Sequence, residues 1–246
     1  MQGLARRKLP SIGLLALAVG TSALFVALGM WQLDRAGHKR DILLEFESRG
    51  IAAQIDLNQS IARDDSALSG YRATATGRYV GPNILLDNQL LRGRVGYLVY
   101  TAFELDERSQ SILVNRGWIG AEADRHQPPQ IGTSSASQRL KGRLSRPPTP
   151  GLRLRGSDLI ERLADDSWRV QGIDFAQLGA SLGEDILFVT LQLEEDAPGA
   201  FVRSRNSPAI DEARHRGYAF QWFAMAVTVV AIAAVILLAK DKAGIP

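Results

Sequence analysis

The sequence predicts a membrane α+β protein in which two transmembrane helices flank a mainly antiparallel, β-rich extracytoplasmic domain. Three observations carry that expectation. Two uncharged apolar runs stand near the ends, residues 11–31 and 218–239 (21 and 22 residues). At 1.5 Å per residue each reaches roughly 30 Å, the thickness of a hydrocarbon core. Between them apolar and polar residues alternate with the period of a strand. The mean hydropathy of -0.05 therefore averages two kinds of chain rather than describing a soluble one.

The first run opens like a secretory signal, with Arg6-Arg7-Lys8 before it and Ala16-Leu17-Ala18 resembling a cleavage site. A signal's apolar region is only about 7 to 15 residues, and this one stays uncharged to Trp31, which predicts an uncleaved anchor. The second run has neither Pro nor Gly, and residues 227–238 are almost wholly aliphatic. Two spans put both termini on one side. Flanking charge does not choose that side, because Arg6, Arg7, Lys8, Lys240 and Lys242 are matched by Arg35, Lys39, Arg40, Arg214 and Arg216. A long loop can be exported whatever its charge and the first helix usually dominates, so cytoplasmic termini are expected. The chain then divides into a tail (1–10), a first transmembrane helix (11–31), a periplasmic domain (32–217), a second transmembrane helix (218–239) and a tail (240–246).

Beyond Trp31 the helical pattern continues through Leu33, Leu43, Leu44 and Phe46 to a stop at Gly50, predicting a stalk. Gln32, Arg35 and Lys39 share a face of it, either solvated among lipid headgroups or used for docking. From Tyr71 the period becomes two, and Gly81-Pro82-Asn83 predicts a turn between strands at 71–79 and 84–91. A second hairpin is expected from 97–105 and 111–119, with further strands at 138–144, 167–172 and 186–193. Asp174 has the position of an N-cap for a short helix through Leu182. Consecutive hairpins favour antiparallel pairing over βαβ units. Residues 147–151, rich in Pro, read as a loop, and 197–209 as a mobile connector to the second span.

Composition removes whole classes of function. The chain has no Cys, which excludes disulfides, thiolate zinc sites, iron–sulfur clusters and a Cys nucleophile. Copper chaperoning would need soft ligands, yet the three Met are Met1 and two in the apolar runs, Met30 and Met225. Of 29 Lys and Arg and 26 acids, five bases and one acid (Asp241) lie in the tails, leaving 24 against 25 in the middle domain. So balanced a domain lacks the basic stripe that nucleic acid requires. There is no Gly-x-Ser-x-Gly elbow, phosphate loop, dinucleotide fingerprint or His-Glu-x-x-His helix, so no catalytic residue and no metal ligand is assigned. His38, His126 and His215 are dispersed, and the acid pairs Asp64-Asp65 and Glu194-Glu195 read as solvated surface.

The segment 214–223, Arg-His-Arg-Gly-Tyr-Ala-Phe-Gln-Trp-Phe, stands at the mouth of the second span. On a helix His215, Tyr218 and Trp222 fall at i, i+3 and i+7 and share a face. One reading is an interfacial aromatic belt. The other is a cofactor site, with the imidazole as an axial haem ligand and Arg214 and Arg216 for the propionates.

Four blocks, taken in order, resemble the Surfeit locus protein 1 family of cytochrome c oxidase assembly factors. They are Gly29-Met30-Trp31-Gln32-Leu33-Asp34-Arg35 with Lys39; residues 71–77; Val114-Asn115-Arg116-Gly117-Trp118; and His215 with Tyr218 and Gln221-Trp222-Phe223. The resemblance runs from about Gly29 to Phe223. It implies an assembly factor rather than an enzyme, a multi-pass protein of the bacterial inner membrane that assists haem A insertion into, or maturation of, subunit I of a haem-copper oxidase. It implies haem A as a transient cofactor, His215 as its ligand, and subunit I, haem A synthase and membrane lipid as partners. Many members carry an Asn shortly before that histidine, where this chain has Glu212, Ala213 and Arg214. The ten residues ahead of the first span leave no room for a mitochondrial transit peptide. A membrane-anchored periplasmic enzyme, its active site assembled only by folding, is the alternative.

Overall fold

The computed structural model describes residues 9–59, 65–148, 160–203 and 208–242. Arg6, Arg7, Lys8, Asp64, residues 149–151 and residues 204–207 lie outside them. Helix α1 (Leu9–Ile51) is followed by strands β1 (Ile55–Asp56), β2 (Arg72–Leu91), β3 (Arg94–Leu105), β4 (Gln110–Gly120), β5 (Gln138–Ser145), β6 (Glu161–Ala164) and β7 (Ser167–Val170). Helix α2 (Phe175–Leu182), strand β8 (Asp185–Leu193) and helix α3 (Pro208–Lys242) complete the order. Two compact units result, one within Met1–Leu44 and Asn206–Pro246, the other Glu45–Arg205.

In the first unit α1 and α3 leave their aliphatic side chains outward: Leu17 is 68% exposed and Val227 69%. Both helices are long and apolar enough to cross a membrane. The buried positions of α3 are small and seven apart, Ala219, Ala226 and Ala233, the spacing of a helix–helix seam.

In the second unit α1 ends among the strands. Strand β2 pairs with β5 through residues 72–77 and with β3 from Gly77 onward; β3 pairs with β4, β4 with β8, and β8 with β5. These pairings close a ring of five strands. Strand β7 adds to the far half of β2, β6 to β7, and β1 to the start of β2. Five of the pairings are antiparallel, whereas β1–β2, β2–β7 and β4–β8 are parallel. Parallel neighbours come from the crossovers through β5 and α2, which local hairpin signals cannot reveal. Strand β4 is covered on both faces: Ile112 and Val114 join Phe103, Leu144 and Leu191 in one core, while Leu113 joins Tyr100, Trp118 and Leu178 in another. Double-sided burial explains its unbroken apolar run. Helix α2 starts as expected, the Asp174 carboxylate accepting from the Gln177 N–H at 3.0 Å.

Two expectations are corrected. Gly81-Pro82-Asn83 is no hairpin turn: β2 runs straight through it for 20 residues, with a register shift between Val80 and Asn83. Gly81 takes φ +69°, open to glycine, and Pro82, which has no N–H to offer, stands where the ladder skips. The hairpin instead joins β2 to β3 across Arg92 and Gly93. Residues 197–203, the described start of the expected mobile connector, are a strap on the sheet. Ala197 and Ala200 pack on the core, and Val202 bridges to Trp118, whose N–H donates to the Val202 carbonyl at 2.7 Å.

Candidate functional site

His215 lies on the α1–α3 seam. Its Nδ1 stands 2.7 Å from Oε1 of Gln32, 183 positions away in the chain. An amide oxygen can only accept, so Nδ1 carries the proton and donates; in the neutral ring Nε2 then holds the lone pair. A ligating histidine is usually oriented this way, its second nitrogen tied to an acceptor. The seam is tight beyond this pair. A Cβ at Gly29 would stand 2.5 Å from the Phe223 ring, the Phe25 and Trp222 rings lie 5.5 Å apart, and Ser22 Oγ donates to the Ala226 carbonyl at 3.4 Å. Close approach through small residues is how apolar helices pair where lipid supplies no hydrophobic drive.

The three residues read as one face separate. His215 and Trp222 are half-buried on the seam, and Tyr218, 46% exposed, turns outward. Arg214 and Arg216 flank the histidine, both exposed, with Arg216 3.6 Å from Glu212 one turn earlier. Lys39 is half-buried and Arg35 exposed, so the face drawn through Gln32, Arg35 and Lys39 splits as well. Gln32 belongs to that face and to the first family block, and its role on His215 could not come from either local sequence. Among the described residues no group of three His, Asp or Glu gathers to hold a metal.

The Asn115-Arg116-Gly117-Trp118 block builds a joint in the sheet unit. Arg116 is only 3% exposed, and it donates to neutral partners: Nε to the Gly199 carbonyl (3.0 Å), Nη1 to Thr133 Oγ1 (2.9 Å) and Nη2 to the Gly132 carbonyl (2.8 Å). The guanidinium also stacks near the rings of Tyr79 and Phe201. Burial lowers the Arg116 pKa and pushes the Tyr79 hydroxyl up to about 12. Gly117, at φ +113°, lets the Phe201 carbonyl pass 2.7 Å from where a Cβ would be, and Trp118 Nε1 donates to the Gln89 carbonyl at 2.9 Å. The arginine therefore fastens two loops to β4, which makes the block architectural.

Residues 19–227 match the model of the SURF1 family. An uncharacterised SURF1-like protein of Mycobacterium bovis is 26% identical over 251 residues, 95% of this chain and 89% of the relative. A SURF1-like protein of Rickettsia bellii is 26% identical over 226 residues, 86% of each. The cytochrome oxidase assembly protein SHY1 of Saccharomyces cerevisiae is 28% identical over 97 residues, 39% of this chain and 25% of the yeast protein. The matched stretch takes in the seam from Ser22 to Ala226 and the whole sheet between, and the chain belongs to the SURF1 family.

Proposed function

We propose that this protein is a membrane-bound assembly factor for a cytochrome oxidase, acting by binding rather than by catalysis, and that His215 offers Nε2 to haem A destined for subunit I. The yeast relative, a cytochrome oxidase assembly protein, supports the oxidase, and the family supports an assembly role. The observation that carries the haem reading is the 2.7 Å bond from His215 Nδ1 to Gln32. It holds the ring in the tautomer whose free nitrogen can bind iron, and so the donor set fits the group. Bound haem would supply an iron that an imidazole nitrogen can coordinate. Around it, Gln32 fixes the ring, Trp222 gives an apolar wall, and Arg214 and Arg216 are placed on either side for carboxylates. Tyr218 faces outward, where it can meet lipid or a partner helix. Haem A synthase is the donor this reading expects, in a bacterial inner membrane with the sheet unit in the periplasm.

The test is purification from cells that make haem A, beside His215→Ala. Loss of bound haem and of its spectrum in the variant is expected. Equal haem content with an unchanged spectrum would overturn ligation by this residue and leave a haem-independent scaffold.

A further inference from the structure

A cavity of about 400 Å³ opens in the sheet unit where the last turns of α1 meet β2, β5 and the strap after β8. Three guanidiniums line it, Arg72, Arg143 and Arg203, against two carboxylates, Glu47 and Glu194. We infer that this cavity is a binding site for a small phosphate ester, which goes beyond the oxidase and haem reading and does not depend on it.

Arg143 is the fixed element. Its Nε donates to the Gly70 carbonyl at 2.8 Å, Nη2 donates to the Phe46 carbonyl, and its centre lies 3.9 Å from the Phe46 ring centroid. Its hydrogen bonds go to carbonyls and its face to a ring, and the Glu47 carboxylate acts on its charge only through space. Burial opposes that charge; Glu47 offsets the effect, while Arg72 and Arg203 add to it. Arg203 is 3.7 Å from Glu195, and Arg72 is exposed at the start of β2. Cations driven together without equal acid are relieved by an anion. Planar guanidinium forks match phosphate oxygens two at a time, which ammonium groups do not. The volume lies at the small end of ligand cavities, large enough for an ester rather than a bare ion. On the lining Glu47 and Glu194 leave one positive charge in excess, and Glu195 beside Arg203 offsets part of it, which disfavours a polyanion.

A soluble phosphate ester and the headgroup of an anionic phospholipid share this chemistry. Glycerol 3-phosphate, titrated calorimetrically into the full chain in neutral detergent, should bind saturably at one site. Arg72→Gln and Arg203→Gln should each weaken binding about tenfold or more, the loss of one charge-assisted contact, with the ligand-free melting temperature unchanged. No saturable binding, or affinity equal to the parent's in both variants, overturns the site. If a glutamine variant melts early, Arg72→Lys keeps the charge without the fork and should still bind more weakly; affinity equal to the parent's would also overturn the inference. In phosphatidylcholine nanodiscs, added phosphatidylglycerol that lowers the apparent affinity identifies a lipid headgroup as the occupant, and no change identifies a soluble ester.

Discussion

Gln32 and His215 show how much one hydrogen bond can determine. Two polar side chains between apolar helices have few other partners, so each holds the other's orientation. Replacing Gln32 with Leu should release the ring, and nitrogen NMR of labelled His215 should show Nε2 protonated in a substantial share of molecules; Gln32→Glu, which keeps an acceptor, should not. An unchanged tautomer in Gln32→Leu would remove Gln32 as a positioning residue, whatever becomes of haem. Tyr79 makes a second case at this scale. Its hydroxyl is buried with no hydrogen-bond partner among the described residues, and burial raises its pKa to about 12 from 10.0. Below pH 10 both folded and unfolded chains keep the proton. Between 10 and about 12 only the unfolded chain loses it, so stability falls as pH rises, by up to about 1.4 kcal/mol per pH unit. Burial pushes Tyr100 up as well, in the same direction. Tyr79→Phe should be no less stable at neutral pH and should lose less stability in that alkaline window, as read by denaturant melts. Equal alkaline losses in both proteins would contradict the burial argument.

At the scale of elements, the seam of α1 and α3 is built by exclusion. Among the described residues Ala18, Gly29 and Ala36 on one helix and Ala219, Ala226 and Ala233 on the other are buried, and Gly29 admits the Phe223 ring. Gly29→Leu should push the helices apart, costing about 1–3 kcal/mol by overpacking and disturbing the Gln32–His215 bond one turn away; a crosslinking yield between the two helices equal to the parent's would show that the pair adapts. Gly13 and Gly20 meet nothing within 4 Å, unlike Gly29, so small residues on α1 serve two different surfaces. Strand β2 is the matching case in the sheet. Its first half belongs to the pairing with β5 and its second to that with β7, and the irregularity at Gly81-Pro82 lies between the two roles. A turn signature in sequence thus marks a register shift where two neighbours change over.

For the whole molecule, two apolar helices at opposite ends of the chain require that the termini share a side of any membrane both cross. A cytoplasmic location is expected for them, so alkaline phosphatase fused after Lys242 should be inactive while a fusion within the β3–β4 turn is active; the reverse pattern would invert the topology. The sequence by itself determined the two apolar helices, the continuation of the first towards Gly50, the second hairpin, the Asp174 cap and the family, because each is written in a local period, a capping residue or an ordered set of short blocks. It also marked His215, through its neighbours at the mouth of the second span. Only the tertiary structure decided that Gln32 is the partner of that histidine, that Tyr218 turns away from it, that β2 continues through Gly81-Pro82, that residues 197–203 strap the sheet, and that Arg72, Arg143 and Arg203 line one cavity. Each of these depends on which residues distant in the chain become neighbours, and contacts across such separations leave no period or spacing in the local sequence.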